Sequence, residues 1–162
     1  MDALNSYIQE YKIQLSKGYI QKAYKGIMAF MSDLRIYLDE KYPEYSASAL
    51  YFGYMDMTYF AFTPTALKEK KLKIAIVFLH EECRFELWLA GNNRQIQADY
   101  VKLLKNKDLG RYTLSQINPG VDSIIESNII EQPNFNDVEE LKMQIEAETL
   151  EFVKRIISIL SI

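Results

Sequence analysis

Cysteine and histidine are almost absent from this chain, which has one of each. With Cys83 alone, no disulfide can form within the chain, and no CxxC pair exists to hold a metal. With His80 alone, a multi-histidine metal site is excluded, and any Ser-His-Asp or Cys-His mechanism would depend on that one ring. Both residues lie beside Glu81 and Glu82, and acidic neighbours disfavour the thiolate that a catalytic cysteine needs. We therefore interpret Cys83 as a packed or bystander thiol.

Long apolar runs and nucleotide or hydrolase motifs are missing as well. No run approaches the ~20 residues that a membrane-spanning helix needs. The first residues, MDALNSYIQEYK, lack the basic start and apolar segment of a signal peptide, so we expect a cytoplasmic protein with no membrane partner. The motifs GxGxxG, GxxxxGK[ST], HExxH and GxSxG do not occur, which argues against the common dinucleotide, phosphate-loop, zinc-protease and serine-hydrolase classes. No cofactor or metal is indicated.

The charge of the chain is not that of a nucleic-acid-binding protein. The formal net charge is -3, and residues 122–162 hold nine acids against three bases, which leaves a net +3 on residues 1–121. A nucleic-acid-binding domain normally has a larger basic excess, so nucleic-acid binding is disfavoured. With 49% hydrophobic and 25% charged residues, the composition predicts a single globular domain over residues 1–162.

A β-hairpin is predicted from Leu72 to Gly91, where two β-rich runs meet at the sequence HEEC. A two-residue turn at Glu81-Glu82 would place His80 opposite Cys83, and counting back then pairs Leu79 with Arg84. Because side chains alternate along a strand, one face is purely apolar and must be covered by helices. That face collects Ile74, Ile76, Phe78, Phe85, Leu87 and Leu89. The other face collects Lys73, Ala75, Val77, Leu79, Arg84, Glu86 and Trp88, and any chemistry is expected there.

Two amphipathic helices are predicted before the hairpin. An apolar stripe at helical spacing starts at Leu4 and stops at Gly18, and a second begins near Tyr19 and ends at Tyr42-Pro43. The aromatic run ALYFGYMDMTYFAF then predicts a first strand, most clearly over residues 54–62. Residues 64–71 are expected to form a polar link.

The remainder of the chain predicts a helix, a strand and a helix. Helical spacing follows Gly91, and a long apolar stripe follows Asn136. Residues 121–130 fit either a helix or a short buried strand, and we favour the strand. The fold class is therefore α+β, in the order helix, helix, three-stranded antiparallel meander, helix, strand, helix. We expect a right-handed crossover to a last strand parallel to its neighbour, hence one mixed sheet packed by helices.

The segments YMDMTYFAF, KLKIAIVF, RFELWLAG and RQIQADY resemble a bacterial protein family that is labelled as a domain of unknown function. The resemblance covers nearly the whole chain and implies no catalytic residues. The order of elements also resembles, more weakly, the restriction-endonuclease-like superfamily. That resemblance implies an acid on the second strand and an acid-x-lysine on the third, for a metal-dependent attack on a phosphodiester. Here Glu86 matches the acid, Trp88 occupies the lysine position, and only Asp56 could supply a second carboxylate.

A candidate ligand site lies on the polar face of the hairpin. Arg84, Glu86 and Trp88 alternate on one strand, and together they could bind a planar or charged ligand by charge-assisted hydrogen bonds and ring stacking. The neighbouring strand and the following strand-to-helix junction would add Tyr54, Asp56, Arg94 and Gln97. The alternative is a purely structural one, in which Arg84 and Glu86 form an ion pair and Trp88 packs beneath a helix.

Two functions remain open from the sequence. The first is a small cytoplasmic binding or interaction domain that takes an unknown small ligand or a protein partner at this polar and aromatic site. The second is a diverged metal-dependent phosphodiester-acting enzyme with a degenerate restriction-endonuclease-like motif, in which Asp56 and Glu86 would hold the metal.

Overall fold

The structure is a computed structural model that describes residues 3–161. The helices are α1 (Ala3–Ser16), α2 (Tyr19–Lys41), α3 (Thr65–Lys68), α4 (Arg94–Leu104) and α5 (Val138–Leu160). The strands are β1 (Tyr45–Ala47), β2 (Met57–Pro64), β3 (Leu72–Leu79), β4 (Arg84–Gly91), β5 (Thr113–Leu114) and β6 (Ser123–Ile130). The α+β class and the predicted order of the principal elements are confirmed. The single domain over residues 1–162 stays a prediction, and its residues 1, 2 and 162 lie outside the described part.

The strands form one six-stranded sheet in the order β1-β2-β3-β4-β6-β5, and every neighbouring pair is antiparallel. The expectation of a parallel last strand, and hence of a mixed sheet, was wrong. After α4 the chain does not return directly to the sheet but runs through residues 105–122, which include β5, and this excursion lets β6 enter in the opposite direction. The choice of a strand for residues 121–130 is confirmed by β6.

The β3–β4 register agrees with the sequence prediction at every pair from Leu79–Arg84 to Ile74–Leu89. The turn itself differs, because the ladder stops at Leu79–Arg84 and residues 80–83 form a four-residue turn. Cys83 takes a left-handed conformation there, with φ of 52°. His80 is therefore not a ladder partner of Cys83. The observed turn has the same centre as the predicted one, between Glu81 and Glu82, so the register and the assignment of the two faces are unchanged.

The first strand starts later than predicted, at Met57, and extends to Pro64. Gly53 and Met55 both have positive φ, of 78° and 64°, which is incompatible with extended backbone. Residues 54–56 consequently form a bend outside the sheet, which removes Tyr54 and Asp56 from the strand. The predicted polar link contains the short helix α3.

The core lies on the apolar face of β3 and β4, as predicted. Ile74, Ile76, Phe78, Phe85, Leu87 and Leu89 are all fully buried. They form one cluster with buried side chains of α2 and α5, which include Phe30, Leu34, Leu38, Ile145, Phe152 and Ile156. No helix within residues 3–161 combines the length and the apolar composition that crossing a bilayer requires.

Candidate functional site

Small residues leave a hollow on the polar face of the sheet. Ala75 of β3 lies opposite Trp88 of β4, and Ala90 lies opposite Lys73. Both alanines are buried, and the larger side chains of Tyr59 and Trp88 stand on either side of them. The result is a cavity of about 230 Å³, which we call the alanine-floored cavity. Its lining consists of Met57, Tyr59, Lys73, Ala75, Trp88, Ala90, Gly91, Asn92, Asn93, Arg94, Gln97 and Asp122.

A chain of hydrogen bonds fixes Trp88 in the wall of this cavity. The indole Nε1–H donates to Glu86 Oε1 at 2.8 Å. The other carboxylate oxygen of Glu86 accepts from Arg84, with Nε at 2.8 Å and Nη2 at 2.7 Å. The Glu86 side chain is only 5% exposed, so its charge is compensated by Arg84 rather than by water. The three alternating residues therefore act as one unit that holds the tryptophan ring.

The start of α4 closes one end of the cavity. Asn93 caps the helix, because its side chain accepts from the backbone N–H of Ile96 at 2.9 Å. The chain turns so tightly from β4 into α4 that a Cβ on Gly91 would approach Ile96 Cγ2 to 2.8 Å and the backbone N of Gln97 to 3.0 Å. Gly91 therefore permits the close approach of this helix to the strand.

Arg94 and Gln97 join α4 to the segment that leads into β6. Arg94 Nη1 donates to Gln97 Oε1 at 2.9 Å and also to the carbonyl of Val121, and Nη2 pairs with Asp122 at 3.0 Å. The buried amide of Gln97 donates to the carbonyls of Val121 and Ser123 at 2.9 and 3.0 Å. This network holds Asp122 at the rim of the cavity. The side-chain oxygen and nitrogen of Gln97 both have hydrogen-bond partners within the protein.

The electrostatic balance of the cavity is positive. Asp122 neutralises Arg94, whereas Lys73 forms no ion pair with any residue in the described part of the chain. Lys73 is half-buried and lines the cavity beside Ala75 and Ala90.

Three of the seven predicted site residues line the cavity: Trp88, Arg94 and Gln97. Arg84 and Glu86 do not line it but support Trp88 from behind, in the ion pair that the structural alternative predicted. Whether any of the seven contacts a ligand stays a prediction.

Tyr54 and Asp56 lie outside the cavity. Tyr54 is 89% exposed. The Asp56 carboxylate accepts from the backbone N–H of Tyr54 at 2.8 Å, and this bond and one from the N–H of Met57 lower the pKa of Asp56. Asp56 therefore stabilises its own loop.

Sequence reasoning missed Lys73, Tyr59 and Asp122 as members of the site. Lys73 and Ala75 were already assigned to the polar face by the hairpin register, and alanine opposite tryptophan was the available signal for a depression. Asp122 carried no such signal, because it reaches the cavity only through the antiparallel entry of β6.

A second, larger hollow of about 580 Å³ lies between α2, the hairpin turn and the start of α5. Phe30, Phe78 and Phe135 form much of its lining, and charged residues lie among its lining residues. Its charged residues are two lysines and two acids, Lys22, Lys142, Asp33 and Glu139, so it has no net charge, and its aromatic residues are phenylalanines, which have no hydrogen-bonding group.

The geometry does not assemble a metal centre. Among residues 3–161 no group of three or more His, Cys, Asp or Glu side chains is placed to hold a metal ion. Both oxygens of Glu86 are engaged by Arg84 and Trp88, and Asp56 is engaged by its own loop.

Residues 4–160 match the model of a protein family described as a domain of unknown function, DUF7000. No curated protein and no solved structure matches the chain.

Proposed function

Because the chain belongs to the DUF7000 family, whose description assigns no activity, we propose a function from the geometry alone: a binding domain for a small planar anion. The ligand would occupy the alanine-floored cavity, with its ring against Trp88 and its anionic group on Lys73. The observation that carries the proposal is the unpaired ammonium group of Lys73 in the same cavity as a tryptophan that is held by Glu86.

The size and chemistry of the cavity define this ligand class. A volume of about 230 Å³ corresponds to roughly eight water molecules, so it fits a metabolite with one ring and a short substituent. Aromatic rings favour stacked or edge-on contacts with Tyr59 or Trp88, and burying a ring against them adds apolar area. The anionic group would form a charge-assisted hydrogen bond with Lys73, which is stronger than a neutral one.

Binding is better supported than catalysis. Asp122 is the one carboxylate in the lining, and it pairs with Arg94. The enzyme hypothesis requires Asp56 and Glu86 to share a metal, yet each carboxylate already accepts hydrogen bonds from protein groups elsewhere. A phosphodiester-acting enzyme therefore has no specific observation in its favour.

We further propose a cytoplasmic location and a bacterial origin. The single cysteine, which cannot form a disulfide within the chain, supports the first, and the resemblance of four segments to a bacterial family supports the second. The net charge of -3 supports a small ligand or a protein, rather than nucleic acid, as the partner.

The test uses Trp88 itself, because it is the only tryptophan in the chain and its fluorescence reports directly on the cavity. We would titrate benzoate and nicotinate, with benzamide and nicotinamide as uncharged probes of matched shape. We expect saturable changes in emission with the carboxylates and much weaker ones with the amides.

Two lysine variants separate the cavity from general surface charge. Lys73→Met removes the charge but retains the apolar stem, and Lys70→Met alters an exposed turn lysine outside the cavity lining. A charge-assisted hydrogen bond contributes about 1.5–3 kcal/mol, so Lys73→Met should weaken carboxylate binding by about tenfold or more, and Lys70→Met should not. Equal affinity in Lys73→Met and wild type, or no response to either carboxylate, would refute the proposal.

A further inference from the structure

Helix α1 presents an apolar surface that nothing in the described chain covers. Leu4, Tyr7, Ile8 and Tyr11 recur at spacings of three and four, which places them on one side of the helix. Helix α1 runs from Ala3 to Ser16, and none of these residues is buried. A helix of this length is marginal in water unless its apolar side is packed against something.

The surface continues beyond α1. Tyr11 and Leu15 border a shallow groove together with Ile20 and Tyr24 of α2 and Met55 of the bend before β2. We call this continuous area the α1 surface, and its principal exposed members are Leu4, Tyr7, Ile8, Tyr11, Ile20 and Met55.

The size of the α1 surface is that of a stable dimer interface. Its six principal members are between 38% and 73% exposed. Taking ~200 Å² for each fully exposed large side chain, they present roughly 680 Å². The largest apolar patch of a typical monomer is about 300–600 Å², whereas a stable interface buries about 600–1,000 Å² on each partner.

We infer that the protein is a homodimer in which the α1 surface of one copy packs against the α1 surface of a second copy. Closed two-fold symmetry is the most common arrangement of soluble oligomers, and it uses the same patch on both subunits. The patch alone supplies the area that each subunit needs. The four apolar side chains of α1 would form the centre of the interface, where they pack against their counterparts and stabilise the helix. This inference is independent of the proposed ligand site.

The helix supplies its own matched control for the test. Ile13 lies two residues beyond Tyr11, about 200° around the helix and therefore on the opposite side, and it is exposed too. We would compare wild type, Tyr11→Glu and Ile13→Glu by multi-angle light scattering and by sedimentation over a range of concentrations. We expect twice the chain mass for wild type and Ile13→Glu, and a single chain mass for Tyr11→Glu.

Hydrogen exchange of residues 4–15 gives a second measurement. In the dimer these amides should be protected, and in Tyr11→Glu they should exchange many times faster while β3 and β4 remain protected. A monomeric wild type overturns the inference. So does a dimer that persists in Tyr11→Glu, because the interface then lies elsewhere, and so does equal loss of the dimer in both variants.

Discussion

The carboxylate of Glu146 connects α5 to the end of α2, and its removal gives the sharpest test of the packing described above. Glu146 accepts hydrogen bonds from Tyr37 Oη at 2.8 Å, from Lys41 Nζ at 2.8 Å and from the Tyr42 hydroxyl. Its side chain is 9% exposed. Burial opposes ionisation, but the bonds from Lys41, Tyr42 and Tyr37 outweigh it and lower the pKa of Glu146. Burial and the same carboxylate raise the pKa of Tyr42 to about 12.

The change Glu146→Gln retains the shape of the side chain and removes the charge. Both phenol hydrogen bonds then change from charged to neutral, at about 1 kcal/mol each. The Lys41 side chain is half exposed, so water screens its ion pair and we add nothing for it. We expect the free energy of unfolding at neutral pH to fall by about 2 kcal/mol, and Tm by about 4–8 °C.

The pH dependence of the free energy of unfolding is a second test of the contribution of Glu146 to stability. Because the pKa of Glu146 is lowered by folding, its contribution to stability is complete above the unfolded pKa of about 4.3 and is lost as the pH falls through the lower native value. The difference between wild type and Glu146→Gln should therefore be largest near neutral pH and shrink in acid.

Urea denaturation followed by far-UV circular dichroism between about pH 7 and about pH 3 measures this difference. The matched control is Glu139→Gln on the same helix, where the side chain is 78% exposed and pairs only with Lys142, so the change should be below about 0.5 kcal/mol. Equal stability of Glu146→Gln and wild type at pH 7, or a difference that is independent of pH, would refute the reasoning.

Two further predictions concern the backbone and the single histidine. Gly18 and Gly53 have nearly equal φ, of 77° and 78°, but a Cβ meets nothing at Gly18, whereas at Gly53 it would lie 1.9 Å from the carbonyl oxygen of Met57. Thermal unfolding should show a loss of about 1 kcal/mol for Gly18→Ala and about 1–3 kcal/mol more for Gly53→Ala. Burial lowers the pKa of His80 although the Asp56 carboxylate opposes this. An NMR titration should find the pKa of His80 below its ordinary value of about 6.5. The free energy of unfolding should then decrease as the pH falls from about 6.5 through the lower native pKa.

Each of these two predictions would be contradicted by a specific result. Equal losses for the two glycine variants would show that the close approach at Gly53 is not maintained in solution. A His80 pKa above its ordinary value would show that Asp56, rather than burial, dominates its environment. The variant His80→Gln should remove this part of the pH dependence, because the chain has no other histidine.

The faces of the β3–β4 hairpin could be predicted because they depend on local alternation. An unbroken alternation on both strands leaves one register that turns Phe78, Phe85 and Leu87 together toward the core, and a shift by one residue would turn Arg84 and Glu86 toward it instead. The turn length did not matter here, since a two-residue turn and a four-residue turn that are both centred on Glu81-Glu82 give the same pairing.

The direction of β6 and the position of Tyr54 and Asp56 could not be predicted in this way. The direction of β6 depends on the path of residues 105–122, which have no strong periodicity. The bend at residues 53–56 depends on positive φ at Met55 as well as at glycine, and such a conformation is uncommon for methionine. The sequence therefore predicted which hairpin side chains share the polar face, and only the fold showed that Lys73 and Asp122 line the same cavity as Trp88.

Both margins of the sheet are made of very short strands, three residues in β1 and two in β5. A long unpaired margin offers a row of free amide and carbonyl groups on which another molecule can add a strand, which is how sheets grow into fibres. β5 pairs with β6 only at Glu126 and Ile125, so residues 127–130 of β6 have no partner strand on that side within residues 3–161. A strand added to the sheet should therefore pair beside residues 127–130, and extending β5 at its N-terminal end by a few residues would cover that stretch.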